Sequence, residues 1–152
     1  MKKVVVLVLV FLLVGCSTKI EEEKYTYLEY KSALEEKEEF DSDDKLDFNT
    51  FFDITRDSEE VINYSMTIDN PKCDMYNIKA LLIHDYTLED TYPSIGIFDD
   101  STTLKQGSDD KIILKGVIDT IDDISNVKFK LYLEYTDSDG NENKFYYIVN
   151  RG

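Results

Sequence analysis

After Lys45, apolar and polar residues alternate with a period of two, the pattern of strands that bury one face. Leu46, Phe48, Phe52 and Ile54 alternate with Asp47, Asn49 and Asp53, and Ile62, Tyr64, Met66 and Ile68 alternate with Asn63, Ser65 and Thr67. A third run carries Tyr76, Ile78, Ala80 and Leu82 towards Tyr86, and a short piece, Ile95 to Phe98, follows Pro93. Because proline cannot donate to a sheet ladder, that piece is expected at an edge. Ile112, Leu114 and Ile118 share one face of the next run. Val127, Phe129, Leu131, Leu133 and Tyr135 share a face of the cleanest run, and Phe145, Tyr147 and Val149 share a face of the last. Asp69-Asn70-Pro71, Gln106-Gly107-Ser108 and Asp137-Ser138-Asp139-Gly140-Asn141 supply turns between them. With no strong helical pattern among these runs, residues 45–152 are expected to form a single antiparallel β-sandwich of an all-β class.

The segment ahead of the strands follows another rule. From Ile20 to Asp47 there are twelve acids against four lysines and neither glycine nor proline. Tyr27, Tyr30 and Leu34 fall at helical spacing, but the stripe is thin and the acids crowd one another. Residues 16–44 therefore read as an acidic stalk, a frayed helix or a charged extended linker that the sandwich can fold without.

Further towards the N-terminus, Lys2 and Lys3 precede an unbroken apolar run, Val4 to Val14, and then Gly15-Cys16. As a helix this run covers roughly 16 Å, against about 30 Å of bilayer hydrocarbon, so residues 1–15 have the layout of an export signal. Leu13-Val14-Gly15-Cys16 resembles the lipobox of bacterial lipoproteins. The resemblance implies cleavage before Cys16, diacylglycerol on its thiol, and an anchored protein on the extracytoplasmic face of the cell membrane. Two or more acyl chains hold a protein stably at a membrane.

Charge narrows the partners. The formal charge is −15, and it becomes −17 without residues 1–15, which carry two lysines and no acid. Such a body repels nucleic acid and anionic headgroups, while cations and basic proteins are attracted. Once Cys16 is lipidated, Cys73 has no partner for an intramolecular disulfide.

Lys115-Gly116-Val117-Ile118-Asp119, Val127-Lys128-Phe129-Lys130-Leu131-Tyr132 and Tyr135-Thr136-Asp137-Ser138-Asp139-Gly140 together are similar to the Ig-like modules of Gram-positive lipoproteins, such as the FxLYD type. Leu133 stands where that type carries its aspartate. The resemblance implies an Ig-like surface or accessory module and brings no catalytic residues with it.

Candidate chemistry is sparse. Asp137 to Glu142 has the oxygens of a calcium loop, but Gly140 is fourth where an EF-hand needs glycine sixth, and position twelve is Ile148, so a hairpin turn is expected there and around Asp122-Asp123 at most incidental cation binding. Asp99-Asp100-Ser101-Thr102-Thr103 matches an adhesion-type metal motif without the α/β sheet that motif needs, and is read as a loop. His84 beside Asp85 lacks a nucleophile partner and is expected to face solvent or a satisfying neighbour. Cys73 is read as either a buried, inert thiol or an exposed one open to oxidation. No metal and no cofactor is expected. Tyr132 and Tyr146 lie opposite in phase to the core positions and are expected to point outward as ligand-binding residues. The function expected is a non-catalytic binding or accessory module of the envelope, held to the membrane by its lipid and meeting a protein or cell-wall partner. The alternatives are a hydrolase with a carboxylate cleft and a purely structural component.

Overall fold

The computed structural model describes residues 2–86, 91–119 and 123–149, with side chains from residue 18 onward. One helix, α1 (Lys2–Glu36), precedes β1 (Asn49–Arg56), β2 (Val61–Asp69), β3 (Met75–His84), β4 (Ser94–Ile95), β5 (Thr102–Leu104), β6 (Ile112–Asp119), β7 (Phe129–Thr136) and β8 (Glu142–Ile148). The strands form two antiparallel sheets packed as a β-sandwich. One has the order β1-β2-β6; the other has the order β4-β3-β7-β8, with β5 also paired to β3.

The core between the sheets comes from the alternation. Ile62, Tyr64, Met66 and Ile68 from β2 and Ile112, Leu114 and Ile118 from β6 meet Ile78, Ala80 and Leu82 from β3 and Phe129, Leu131, Leu133 and Tyr135 from β7. Leu46 and Phe48 enter this core ahead of β1, carried in by a short 3-10 turn at Asp43–Lys45. The piece after Pro93 is β4, at the edge of its sheet as expected.

Tyr76 departs from the expected phase. Asn77 adopts φ +51°, a left-handed conformation that Asn tolerates better than most residues, and the β3–β7 register slips between Tyr76 and Lys79. The irregularity turns Met75 into the core and Tyr76 outward, where its hydroxyl donates to Asp74 at 3.2 Å.

A larger departure concerns the segment expected to stand off as a dispensable stalk. Tyr27, Tyr30 and Leu34, at i, i+3 and i+7 of α1, are buried on the outer face of the five-stranded sheet against Leu81, Ile83, Tyr92, Ile97 and Tyr132. Lys19–Glu23 at 3.8 Å and Lys31–Glu35 at 3.3 Å are i,i+4 pairs, worth a few tenths of a kcal/mol at most, so tertiary packing is what holds this helix. Beyond the helix, Asp41 N–H donates to Tyr146 C=O at 2.7 Å, and Tyr146 N–H donates to Asp41 Oδ2 at 2.9 Å. The same segment therefore also occupies backbone groups on the edge strand β8.

Candidate functional site

The strand phase places Tyr132 opposite the core, as the alternation requires, yet Tyr132 is 1% exposed because α1 covers that face. Its ring stacks on Tyr30 at 4.3 Å between centroids and meets Tyr146 edge-on at 5.2 Å. Tyr132 Oη donates to Glu134 Oε2 at 2.5 Å, Tyr30 Oη donates to Glu134 Oε1 at 2.6 Å, and Lys79 Nζ lies 3.6 Å from that oxygen. Burial, reinforced by the Glu134 carboxylate, raises both tyrosine hydroxyls well above their ordinary pKa. Tyr146 is half-buried, with Lys37 Nζ 4.2 Å over its ring. The expectation of an open tyrosine face is thus corrected: what Tyr132 and Tyr146 contact is the chain's own N-terminal segment.

The other sequence candidates lie apart from one another. Cys16 sits within the helical backbone of α1, and its side chain lies outside the described side chains. Asp122 lies outside the described residues, while Asp123 accepts from Ser125 N–H at 2.8 Å. Asp137 Oδ1 accepts from the N–H groups of Asp139 and Asn141, each at 2.9 Å, and Gly140 takes φ +83°. These bonds make the segment a hairpin turn, and the same backbone donors hold the Asp137 carboxyl below its usual pKa. Asp99 accepts from Gly96 N–H at 2.7 Å, and Thr102 and Thr103 open β5.

His84 does not face solvent. Its ring is 4% exposed and meets those of Tyr64, Tyr92 and Phe129 edge-on at 5.7, 5.1 and 5.8 Å. Asp85 Oδ1 accepts from Lys128 N–H at 2.8 Å. Half-buried Cys73 lies 3.5 Å from Tyr135 Oη, which in turn donates to Asp47 Oδ2 at 2.6 Å. Burial and that carboxylate raise the Tyr135 pKa as well.

The face that remains open belongs to the three-stranded sheet. Cross-strand register sets out three rows on its outer side: Phe51–Thr67–Ile113, Asp53–Ser65–Lys115 and Thr55–Asn63–Val117. The central strand contributes only the polar Asn63, Ser65 and Thr67, with larger side chains on both flanks of the first two rows. The result is a groove of about 460 Å³ along β2, lined by Asp53, Thr55, Asn63, Ser65, Lys115 and Val117 among others. Phe51 on β1 is 66% exposed, and Ile113 and Val117 are exposed across β2 on β6. Beneath the groove, Gly116 lets β6 pass over the Tyr64 ring; a Cβ there would lie 2.2 Å from Tyr64 Cζ and Oη. No family model, curated protein or solved structure matches the chain.

Sequence reasoning followed the core side of each strand and missed this face. Phe51, directly before Phe52, breaks the β1 alternation, and that doublet was the available signal. Among the described residues, no three His, Cys, Asp or Glu side chains gather into a metal-binding group, and no helix is long and apolar enough to cross a membrane.

Proposed function

We propose that the chain is a lipid-anchored, non-catalytic binding module of the bacterial envelope, tethered through Cys16 at the extracytoplasmic face of the cell membrane. The lipobox-like Leu13-Val14-Gly15-Cys16 and the export-type run before it support the address. Support for a binding role comes mainly from the asymmetry of the sandwich. The helix leading away from Cys16 covers one sheet, while the other sheet exposes a groove lined in part by Val117, with Phe51 and Ile113 exposed in the next cross-strand row. Large apolar side chains exposed on both flanks of a polar strand suit an interaction site better than a face turned only to water. The Ig-like affinity of the sandwich belongs to this same reading.

Metabolic labelling with a palmitate analogue tests the anchor, because acylation needs the thiol. Wild-type protein is expected to take up label and fractionate with membranes, and Cys16→Ser to be unlabelled and either uncleaved or released. Equal labelling of the two proteins would refute the lipoprotein reading.

A further inference from the structure

Resting on the binding-module reading, we infer that the groove along β2, together with the adjoining Phe51–Thr67–Ile113 row, docks a cationic amphipathic polypeptide segment whose apolar side chains lie against Val117, Phe51 and Ile113.

Width is the first argument. The flanking residues of each row belong to β1 and β6, two strand spacings apart, or roughly 10 Å. That distance matches one extended chain with its side chains, or one helix. The small Asn63, Ser65 and Thr67 leave a polar floor that can hydrogen-bond a backbone or short polar groups.

Charge complementarity selects the occupant. Register places the β1–β2 turn, with exposed Asp57, Glu59 and Glu60, at one end of the groove together with Asp119. At the other end stand Asp69 and, just before β6, the exposed Asp109 and Asp110 with Lys111 beside them. The chain as a whole carries −15. Counting Arg56 and Lys111, both ends stay net negative, so an acidic segment or a second copy of this chain is disfavoured. Within the groove Lys115 faces Asp53 across Ser65, an opposite-charge pair of handles that can fix the direction and register of a bound segment.

Any polyanion attracts polycations, so the test must separate the apolar contribution from bulk charge. Full-length protein is titrated with a synthetic peptide of alternating lysine and leucine and with an oligolysine of equal charge, and hydrogen exchange locates the contact. The alternating peptide is expected to bind tighter by about tenfold or more and to protect β1, β2 and β6. Phe51→Ser/Ile113→Ser/Val117→Ser changes no charge and removes only exposed side chains; it should abolish that preference while leaving oligolysine binding unchanged. Ile148→Ser, an exposed apolar substitution outside the groove, should preserve the preference. Asp53→Asn/Asp69→Asn supplies a second variant and should weaken the alternating peptide at low salt. Equal affinity for the two peptides, a preference that survives the triple serine variant, or protection mapped elsewhere would overturn the inference. Protection of this face by soluble cell-wall glycan fragments and not by the cationic peptide would also overturn it. The readout does not depend on acylation, so its failure is distinguishable from failure of the anchor, which the labelling experiment reports separately.

Discussion

Two leucines of α1 offer a direct comparison of docked and undocked surface. Leu34 has no exposure, lying among Ile83, Tyr92 and Tyr132, while Leu28, six residues earlier on the same helix, is 47% exposed. Their truncation to alanine removes the same atoms. At Leu34 the transfer and cavity terms together cost about 2–5 kcal/mol. At Leu28 about half of the residue is already in water, and alanine is the better helix former, so the change stays within about 0.5 kcal/mol. In a domain of this size 1 kcal/mol moves Tm by roughly 2–8 °C, so Leu34→Ala should lower it by about 10 °C and Leu28→Ala by almost nothing. Near-UV circular dichroism of the tyrosines can follow the melt, since the chain has no tryptophan. Equal melting temperatures for the two variants would mean that α1 does not pack on the sheet, and the account of Tyr132 would fall with it.

Alkaline pH should destabilise the fold. Tyr30, Tyr132 and Tyr135 all have raised pKa values when folded, so their stabilising contribution is complete below the unfolded value of about 10 and is lost as pH rises past it; the slope is at most about 1.4 kcal/mol per pH unit for each tyrosine. Denaturant melts between pH 9 and 12 test this (about the window around an ordinary tyrosine); Tyr30→Phe should flatten the fall, and constant stability across the window would refute the burial argument. Gly116→Ala should cost about 1–3 kcal/mol, because the added Cβ meets the buried Tyr64 ring, and a neutral result in chemical denaturation would refute that close approach.

The sandwich core was legible because each strand alternates and its core-facing positions are strongly apolar. The run Val127, Phe129, Leu131, Leu133, Tyr135 is buried as its phase requires, and so are Phe145, Tyr147 and Val149. Alternation alone says only that two faces differ, however, and cannot say that the second face is dry. The usable signal was local: Ala80-Leu81-Leu82-Ile83 and Leu131-Tyr132-Leu133 are consecutive apolar runs, the mark of strands covered on both sides. Taken together with the thin stripe of Tyr27, Tyr30 and Leu34, they pair a sheet face that needs a cover with a helix that can provide one. The many acids on α1 obscured this match, although they do not prevent packing when the acid-rich sides of the helix face water. The slip at Asn77 had no comparable warning, because an Asn inside an alternating run is equally compatible with an ordinary exposed strand position.

Docking of α1 changes what an anchor at Cys16 would do. A flexible acidic linker would let the sandwich tumble above the membrane, with every surface equally presented. A helix fixed by Leu34, by Tyr92 N–H donating to Tyr27 Oη at 2.7 Å, and by Lys130 Nζ donating to Leu34 C=O at 3.1 Å leaves no such freedom beyond Tyr27. Cys16 and Tyr27 are separated by eleven residues of continuous helix, about 16 Å. On the proposed reading the lipid would therefore hold the sandwich close to the bilayer through a short arm attached to the five-stranded sheet. The groove lies on the opposite outer face of the sandwich, away from that arm. Insertion of a flexible glycine-rich segment between Glu23 and Tyr27 would keep both the anchor and the groove and lose only their fixed relation. Unchanged accessibility of the groove in vesicle-bound protein after such an insertion would show that α1 covers the sheet without setting the orientation of the domain.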